Sequence, residues 1–529
     1  MRIAALDLGS NSFHLIVVEA RLDGSFVPLI AEKEMLRLGD LVARTGRIGE
    51  PAMTECLEVV ARFRAIAESK RADEIVAVGT AALREALDGG DFVDRVREEV
   101  GIEVELIDGV EEAKVVFTAV RASVLIDRPP ALAADLGGGS LEIVVGDQAG
   151  ISYAASARLG VGRLTAELVG TDPPSEEDRA RLAARISGEL GPVLAEVREF
   201  KPHMLIGSSG TFTSLVRIAA ALRDGILHES VNQLTVCRAD LAAARVLIDT
   251  LTSSERSKLP GCDQRRSELL PAGIAVLMHL MDETGLDELT VSEWALREGI
   301  VMRTIHAHDR AELSDDPRAI RRASVLSLCR RCNWSQPHAR QVASLAVSLF
   351  DATAPLHGLA QTDRELLELG ALLHDIGEHV SRTDHDRHTA YLIENGGLRG
   401  FSPEEIRILT VLGRFHVRGN PRPGSSEAYG ALGEEARRRA VALVAILRLA
   451  DALDSTHAAL VSSVEAAPSE EGRWRFRLAA KGDAELEQWT FRRKRELFER
   501  TFSVTCEVEE VSTGRDDYEV PDALVSGLG

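Results

Sequence analysis

Two matching glycine turns supply the residues of this chain best suited to chemistry on a phosphate. One turn follows Asp7 and the other follows Asp135, and each lies between two apolar runs, a pattern typical of strand, tight turn and strand. Glycine lets backbone N–H groups converge on an anion, and the neighbouring carboxylate can hold a cation or a water. Two such turns, from two halves of a duplicated fold, could hold a phosphate chain from both sides. The candidate phosphate contacts are Asp7, Gly9, Ser10, Asn11 and Ser12 in the first turn and Gly137, Gly138, Gly139 and Ser140 in the second.

A third turn of small residues follows the apolar run 204–206 and precedes a predicted helix that starts near Thr213. Backbone N–H groups at the start of a helix favour anions, so this turn adds a further candidate phosphate site. The chain has no G-x-x-x-x-G-K-[ST] element, which excludes a P-loop enzyme. The candidate contacts in the third turn are Gly207, Ser208, Ser209, Gly210 and Thr211.

Phosphoryl transfer also requires carboxylates for a metal, a cation near the developing charge and a group that orients water. Asp135 and Glu142 flank the second turn and suit a divalent ion, and Arg84 can project from the first turn of a helix. A carboxylate on the packed face of a helix is a candidate base. Glu111 and Glu112 begin the same predicted helix, and their spacing does not separate them. Structural roles stay open for all these residues, because Asp–Gly turns and acidic helix starts are common without any function.

The composition excludes several classes of protein. The 529 residues carry 62 basic and 83 acidic side chains, a net charge of −21, which argues against general nucleic-acid binding but allows a local basic cleft for a polyanion. Six cysteines are too few for a disulfide scaffold, and we interpret Cys329 and Cys332 as two thiols on a helix. Asp7 interrupts the short apolar run at the start, and no run approaches the ~20 apolar residues of a membrane span. We therefore expect a cytoplasmic protein with no membrane partner.

The sequence pattern changes near residue 310. Before this point, short β-type runs alternate with helical stretches, which indicates an α/β fold. We expect the first half to end in one helix from Gly285 to Ala307, and we expect a strand at 502–508 near the end of the chain. The predicted domains are lobe I at 1–125, lobe II at 126–307, an all-helical domain at 318–465, a small α/β cap at 466–512 and a tail without periodicity at 513–529.

The motifs of the first half resemble those of the exopolyphosphatase / guanosine pentaphosphate phosphohydrolase (Ppx/GppA) family, within the actin-like ATPase superfamily. The resemblance implies an α/β fold with two actin-like, ribonuclease H-like lobes. It also implies hydrolysis, with Mg²⁺ or Mn²⁺ as cofactor, that releases the terminal phosphate of inorganic polyphosphate, of pppGpp, or of both. The segments that carry the resemblance are 7–14, 79–86, 108–113, 135–142, 207–212 and 292–299.

The resemblance assigns roles that spacing leaves open. In the family, the second Glu of the Glu–Glu pair is the catalytic carboxylate, and this position corresponds to Glu112. The carboxylates around the glycine turn act with the divalent cation in the family and correspond to Asp135 and Glu142. The family's phosphate contacts correspond to Asn11, Ser12 and Arg84.

Arg265 and Arg266 are further candidate phosphate contacts, and they precede a departure from the family pattern. Glu268 stands where the family usually has Asp, and Pro271-Ala272-Gly273 stands where it usually has Pro–Gly.

The helical domain carries a second set of candidate ligands. Imidazole and carboxylate groups on facing helices suit a divalent metal. The longer members of the family carry an HD-like domain at this position, so a second divalent metal site and a metal-free scaffold both stay open. His338, His374, Asp375 and Asp451 follow the His…His-Asp…Asp order of the HD phosphohydrolase superfamily, and His385, His388 and His416 fall where its two-metal members place extra ligands.

These observations favour a Mg²⁺-dependent, exopolyphosphatase-type phosphoanhydride hydrolase that acts on polyphosphate, pppGpp or both and forms a homodimer. The alternative is a regulator that binds polyphosphate or (p)ppGpp without turnover. A third hypothesis is a sugar or acetate kinase of the same superfamily, which would transfer phosphate to an acceptor other than water.

Overall fold

The computed structural model describes residues 1–20, 26–228, 230–308, 317–470 and 472–512, so the predicted tail at 513–529 lies outside the described residues. The chain divides into two compact units, Met1–Ser324 with Arg399–Pro403 and Val325–Leu398 with Glu404–Gly529. Among the described residues, no helix combines the length and the apolar character that a membrane crossing needs.

The first unit begins with a five-stranded sheet in the order β3-β2-β1-β4-β5. Strands β1, β2 and β3 pair antiparallel, whereas β4 and β5 run parallel to β1. The strands are β1 Arg2–Leu8, β2 Ser12–Ala20, β3 Phe26–Met35, β4 Glu74–Gly79 and β5 Val104–Leu106.

A six-stranded sheet follows in the same unit, in the order β8-β7-β6-β9-β11-β10. Its first three strands pair antiparallel, and β9 and β11 run parallel to β6, as β4 and β5 do to β1. The two sheets therefore repeat one topology, with β10 as an added antiparallel edge strand. The strands are β6 Ala131–Leu136, β7 Leu141–Gly146, β8 Ile151–Ala157, β9 Met204–Ser208, β10 Thr235–Cys237 and β11 Glu288–Val291.

Helices cover both sheets of the first unit. They are α1 Leu38–Thr45, α2 Glu50–Ser69, α3 Ala81–Glu85, α4 Gly89–Arg95, α5 Gly109–Ser123, α6 Val161–Leu168, α7 Glu176–Glu199, α8 Gly210–Asp224, α9 Arg238–Thr250, α10 Ser253–Arg256, α11 Leu270–Thr284 and α12 Leu296–His308, followed by α13 Pro317–Arg331, whose last residues belong to the second unit.

Helices α5 and α12 each pack on the sheet that they do not follow in the chain. Helix α5 follows the first sheet in the chain but packs on β6, β7 and β8, whereas α12 follows the second sheet but packs on β1 and β2 and on α5 itself. Their contact belongs to an apolar cluster that includes Ile3 of β1, Val116 of α5, Val144 of β7 and Ile300 of α12. The crossing therefore joins both sheets through one core. The predicted lobe boundary near residue 125 stays a prediction.

The cap of α5 places the predicted catalytic carboxylate. Asp108 Oδ1 accepts hydrogen bonds from the backbone N–H groups of Val110 and Glu111, at 2.8 Å each. A side-chain oxygen at this position satisfies donors that have no partner within the helix. Glu112 therefore lies in the first turn of a helix whose start is well defined.

One helix prediction is wrong, and one strand prediction is displaced. The helix expected from Gly285 to Ala307 is interrupted, because Gly285 ends α11 in the left-handed conformation with a φ of 69° and β11 follows it. The buried run Leu289–Val291 pairs with β9, and this tertiary contact overrides helical periodicity. The strand expected from Phe502 begins instead at Thr505, after Ser503 turns the chain with a φ of 55°.

The second unit is helical and ends in a three-stranded sheet, as the pattern predicts. In this sheet β13 pairs antiparallel with β12 and parallel with β14. The predicted cap boundary at 465/466 falls inside β12 and stays a prediction. The elements are α14 Gln336–Ala352, α15 Ala354–His357, α16 Gln361–Leu373, α17 His385–Asn395, α18 Pro403–Phe415, α19 Glu427–Gly430, α20 Glu434–Ala452, β12 Val461–Glu470, β13 Arg473–Ala480, α21 Glu485–Lys494, α22 Glu496–Phe502 and β14 Thr505–Ser512.

The crossing of α5 and α12 depends on Gly299, where an added Cβ would collide with the carbonyl oxygen of Val115. We expect Gly299→Ala to destabilise the protein by about 1–3 kcal/mol, because a well-packed contact must open. Gly188, in the exposed middle of α7 with nothing near its missing Cβ, is the matched control. Gly188→Ala should stabilise the protein by up to about 1 kcal/mol. Calorimetric melting of both variants checks this, and equal shifts would contradict the packing argument.

Candidate active site

A cavity of about 420 Å³ opens where the turns after β1 and β6 meet in the first unit. Both sheets contribute to its walls, together with the start of α5 and the turn before α8. The predicted residues that line it are Asp7, Gly9, Ser10, Asn11, Ser12, Glu112, Asp135, Gly137, Gly138, Gly139, Ser140, Ser209, Gly210 and Arg266.

The two glycine turns approach each other closely. A Cβ on Gly138 would lie 2.9 Å from the Cβ of Asn11, and a Cβ on Gly139 would lie 2.7 Å from the Oγ of Ser10. The same Oγ accepts a hydrogen bond from the N–H of Ala82 at 3.1 Å. Glycine is therefore required in the second turn because larger residues would separate the two sheets.

The second turn is braced by Arg163 of α6. Its Nε donates to the carbonyl oxygen of Gly139 at 3.2 Å, and its Nη2 pairs with Glu85 Oε2 at 2.6 Å. Because Glu85 lies on α3 beside the first sheet, this pair ties the two turns together.

Four carboxylates come together around the cavity. Asp7 and Asp135 end β1 and β6, Glu142 faces Asp135 across the β6–β7 pair, and Glu112 comes from α5. Glu112 and Glu142 are buried, with 7% and 2% of their surface exposed. Like charges in an enclosed site repel one another, which disfavours the ionised form of these groups.

Removal from water raises the pKa of all four carboxyl groups. It raises the pKa of Asp7 to about 7, that of Asp135 to about 6 and that of Glu142 to about 8. The pKa of Glu112 lies well above its ordinary value, first because of burial and then because of the charge on Glu142.

The carboxylate oxygens are only partly satisfied by hydrogen bonds. Ser208 Oγ donates to Asp135 Oδ1 at 2.8 Å, and Ser156 Oγ donates to Glu142 Oε1 at 2.9 Å. By contrast, Asp7 Oδ1 and Glu112 Oε2 are buried and accept no hydrogen bond. Buried carboxylate oxygens that accept no hydrogen bond fit a divalent cation with a preference for oxygen ligands.

The structure separates the two glutamates that spacing left equal. Glu112 lines the cavity, and its Oε2 lies 3.5 Å from Arg84 Nη1, which also donates to the carbonyl oxygen of Ile107 at 2.6 Å. Glu111 faces outward and has its ion-pair partner, Lys114, at 3.8 Å.

Several predicted residues lie behind or beside the cavity wall. Ser208 acts through its hydrogen bond to Asp135, whereas Arg84 and Glu142 contact lining residues. Arg265 is exposed on the turn that carries the cavity-lining Arg266. The predicted residues outside the lining are Arg84, Glu142, Gly207, Ser208, Thr211 and Arg265.

A basic wall of the cavity consists of Lys33, Arg266 and Arg297, and sequence reasoning had assigned a contact only to Arg266. Lys33 of β3 lies there with Arg266 and Arg297, and burial beside Arg266 lowers the pKa of Lys33 to about 8. Arg266 lies flat against Gly210, where a Cβ would collide with its guanidinium group. Arg297 belongs to the segment 292–299, which the sequence singled out as a motif without assigning it a contact.

His14 was also missed, although a signal for it exists. It pairs with Asp7 across β1 and β2, as Glu142 pairs with Asp135 across β6 and β7. Aligning the two turns residue by residue would have found it. Its Nε2 lies 2.7 Å from Ser12 Oγ, and burial holds its pKa well below the usual value, so the ring is neutral.

Most of the predicted metal ligands of the second unit lie close together in the structure. His338, His374 and Asp375 form one group of potential metal ligands, and Asp375, His385 and His416 form another. Asp451 Oδ1 lies 3.8 Å from both His338 Nε2 and His374 Nε2. His388 lies outside both groups.

Known proteins resemble both parts of the chain. Residues 17–308 match the model of the Ppx/GppA phosphatase family, and residues 320–490 match that of Ppx/GppA phosphatase, domain III. Exopolyphosphatase 1 of Mycobacterium leprae (strain TN) is 33% identical over 306 residues, covering 58% of this chain and 90% of that protein. Exopolyphosphatase 1 of Mycobacterium tuberculosis (strain ATCC 25618 / H37Rv) is 32% identical over 306 residues, 58% of this chain and 88% of that protein.

Solved structures share the fold of the first unit. A crystal structure of an exopolyphosphatase from Cytophaga hutchinsonii is 28% identical, with a TM-score of 0.55, and covers 58% of this chain and 98% of that one. The Aquifex aeolicus member of the Ppx/GppA family is 28% identical, with a TM-score of 0.51, and covers 59% of this chain and 99% of that one. These matches confirm the predicted two-lobed α/β fold. Together with the repeated sheets and the cavity between their glycine turns, they establish that the chain belongs to the Ppx/GppA phosphatase family.

Proposed function

We propose that this protein is an exopolyphosphatase, which hydrolyses the terminal phosphoanhydride bond of inorganic polyphosphate. The observation that carries the proposal is the buried Glu112 carboxylate, which faces a cavity walled by two opposed glycine turns. The basic wall with Lys33, Arg266 and Arg297 supports a polyanionic substrate. Relatives named exopolyphosphatase 1 support the same substrate class. We include pppGpp as a second candidate substrate, and the homodimer and the cytoplasmic location stay predictions.

Residues in and beside the cavity would have separate roles in hydrolysis. Backbone N–H groups of the glycine turns and the Arg84 guanidinium group hold the terminal phosphate. Glu112 orients a water and accepts its proton as the water oxygen bonds to phosphorus. The bridging anhydride oxygen departs with the electron pair of the broken P–O bond, and orthophosphate and a chain shorter by one phosphate result. The basic wall holds the remaining chain.

Asp135 and Glu142 would hold a divalent cation, which we propose to be Mg²⁺ or Mn²⁺. When bound, the cation would neutralise charge on the phosphate oxygens. The all-oxygen donor set and the raised carboxyl pKa values support this assignment, because a cation stabilises ionised carboxylates that burial disfavours.

We expect Glu112→Gln to lower phosphate release from polyphosphate by about 10²-fold or more, because the amide cannot accept the proton of water. Glu111→Gln is the matched control, since Glu111 is the neighbouring residue of the same helix turn and faces outward. Its activity should stay near that of the wild type. Full activity of Glu112→Gln would exclude the proposed base, and binding without any phosphate release by the wild type would favour the regulator hypothesis.

The two adjacent arginines offer a test of the basic wall. Arg266→Ala should lower kcat/KM for polyphosphate by about 10- to 100-fold, because charge-assisted hydrogen bonds to phosphate are lost. Arg265→Ala should change it by about twofold at most, because Arg265 is exposed. Steady-state phosphate release at several chain lengths measures both effects. Equal losses in the two variants would place the substrate elsewhere.

The raised pKa of Asp135 predicts how stability changes with pH in the metal-free protein. At pH 4 the folded protein keeps this carboxyl protonated and the unfolded chain is only about half ionised, whereas above about pH 6 the folded protein must ionise it in an enclosed site. Stability is therefore lost as the pH rises through this range. We expect Asp135→Asn to raise stability by about 1–2 kcal/mol at pH 8 and by little at pH 4.

Melting curves in a chelator, at both pH values, measure this effect. The exposed Asp94→Asn, which disturbs a surface pair with Arg97, is the control and should show no such contrast. Added Mg²⁺ should stabilise the wild type at pH 8 but not Asp135→Asn. A gain of the same size at both pH values would contradict the assignment.

A further inference from the structure

A second cavity, of about 650 Å³, lies in the second unit. Its described walls come from the end of α18, from the loop that follows α18 and from α22. Arg414, Arg422 and Arg500 line this space, which we call the arginine cavity, and none of its described lining residues is acidic. On a chain whose net charge is −21, a cavity lined in this way is a local reversal of charge.

A fourth arginine lies behind the wall of the arginine cavity. Arg448 of α20 is buried, with 7% of its surface exposed. Its Nε donates to the carbonyl oxygen of Phe415 at 2.7 Å, and its Nη2 donates to the carbonyl oxygen of Gly419. Both acceptors belong to residues of the lining. Arg448 therefore fixes the backbone of the wall and adds a positive charge behind it.

The positive charges around the arginine cavity are only partly offset. Arg414 pairs with the buried Asp386, and its guanidinium carbon lies 5.2 Å from the centre of the neighbouring Phe415 ring, so its position is fixed. In the part of the chain that the structure describes, no carboxylate forms an ion pair with Arg422, Arg448 or Arg500. The cluster therefore has more guanidinium groups than paired carboxylates.

The cost of this charge is visible at Arg448. Burial, followed by the charge of Arg500, lowers the pKa of Arg448 to about 10, and Glu496 acts in the opposite direction. The side chain still carries its charge at neutral pH. A buried charge without a paired countercharge is unfavourable, so an anion bound in the arginine cavity would stabilise it.

Helix capping explains only one member of the cluster. Cations are favourable near the C-terminus of a helix, and Arg448 binds the carbonyl oxygen of Phe415, the last residue of α18. Arg500 instead donates its Nη2 to the side-chain oxygen of Asn420 at 3.1 Å, once this amide is oriented to satisfy both of its ends. Capping therefore does not account for the guanidinium groups of Arg422 and Arg500 in the lining.

The loop that carries Arg422 is closed on itself by hydrogen bonds. Ser425 Oγ accepts a hydrogen bond from the Arg422 N–H at 2.9 Å and donates one to the Arg422 carbonyl oxygen at 2.6 Å. Pro421 and Pro423 flank the arginine, and a proline ring restricts its own φ. A side chain held on a loop of this kind loses less conformational freedom when it binds a ligand.

Guanidinium groups select the class of ligand. The planar guanidinium fork donates parallel hydrogen bonds that match the oxygens of a phosphate, and several such groups favour a dianion over a monoanion. A volume of about 650 Å³ lies within the range of small-molecule sites, so a phosphate that carries a small organic group also fits. No described residue of the lining has a carboxylate or imidazole that could activate water, which favours binding without reaction.

We propose that the arginine cavity binds the dianionic phosphate group of a small molecule, either orthophosphate or a phosphate monoester. Arg422 and Arg500 donate to the phosphate oxygens. Arg414 and Arg448 add positive charge from positions that Asp386 and backbone carbonyl oxygens fix. The proposal goes beyond the exopolyphosphatase activity, because the described linings of the two cavities share no residue.

The test is equilibrium dialysis of the full chain, as purified and in physiological salt, against radiolabelled orthophosphate. We expect a saturable site whose Kd rises about 10-fold or more in Arg422→Ala and in Arg500→Ala, because charge-assisted hydrogen bonds are lost. Arg418→Ala is the matched control, since Arg418 is an exposed arginine of the same loop that pairs with Asp384 and lies outside the lining. Its Kd should equal that of the wild type. Circular dichroism confirms that each variant is folded.

Competition against the labelled orthophosphate distinguishes the two sources of the phosphate group. Tighter binding of glycerol 3-phosphate would identify a phosphorylated small molecule as the ligand, and tighter binding of orthophosphate would identify the free ion. Both results support the proposal, provided that Arg422→Ala weakens the binding of the tighter probe.

Three results would overturn the proposal. The first is a wild-type protein without a saturable orthophosphate site, or with one that Arg266→Ala alone weakens, because the phosphate would then lie in the cavity of the first unit. The second is an equal loss of binding in Arg418→Ala and Arg422→Ala. The third is intact orthophosphate binding in Arg422→Ala together with a loss of kcat/KM for polyphosphate that grows with chain length, which would make the arginine cavity part of the polyphosphate site.

Discussion

The crossing of α5 and α12 is the contact on which the candidate active site depends. Each helix packs on the sheet of the opposite lobe, and both share one apolar cluster with strands of both sheets. The contact is close enough that only a residue without a side chain fits at Gly299. Because α5 is held against the second sheet, Glu112 lies beside Glu142 and Asp135 of that sheet.

Electrostatic strain follows from this arrangement. Burial raises the pKa of Asp7, Glu112, Asp135 and Glu142, and for Glu112 and Glu142 the charge of a neighbouring carboxylate acts in the same direction. Two of the carboxylate oxygens, Asp7 Oδ1 and Glu112 Oε2, are buried and accept no hydrogen bond from the described residues. Lys33, Arg266 and Arg297 also line the cavity, and the two arginines pair with Asp263 and Glu298 rather than with these acids. The cavity is thus divided into an acidic part suited to a cation and a basic part suited to phosphate.

The two units present potential metal ligands of different chemistry. Carboxylates in the first unit come from the ends of strands and the start of one helix, where small residues leave room for a substrate. Histidines in the second unit come from four helices, and backbone carbonyls and Asp454 fix the tautomer of each ring. Nitrogen and oxygen donors favour different ions, so the two sets of side chains differ in the class of metal that they would suit.

The sequence alone was sufficient for the two-lobed α/β fold, the paired glycine turns and the order of the candidate histidine and aspartate ligands, because these rest on local spacing and on family motifs. Spacing along the helix could not choose between Glu111 and Glu112, whereas the structure buries Glu112 and leaves Glu111 partly exposed. Lys33 and Arg297 lie far apart in the chain, and only the fold brings them to one wall. The fold alone also places Asp375 between His338 and His374 on one side and His385 and His416 on the other. Contacts between residues distant in sequence carry no periodicity, so tertiary structure alone decided them.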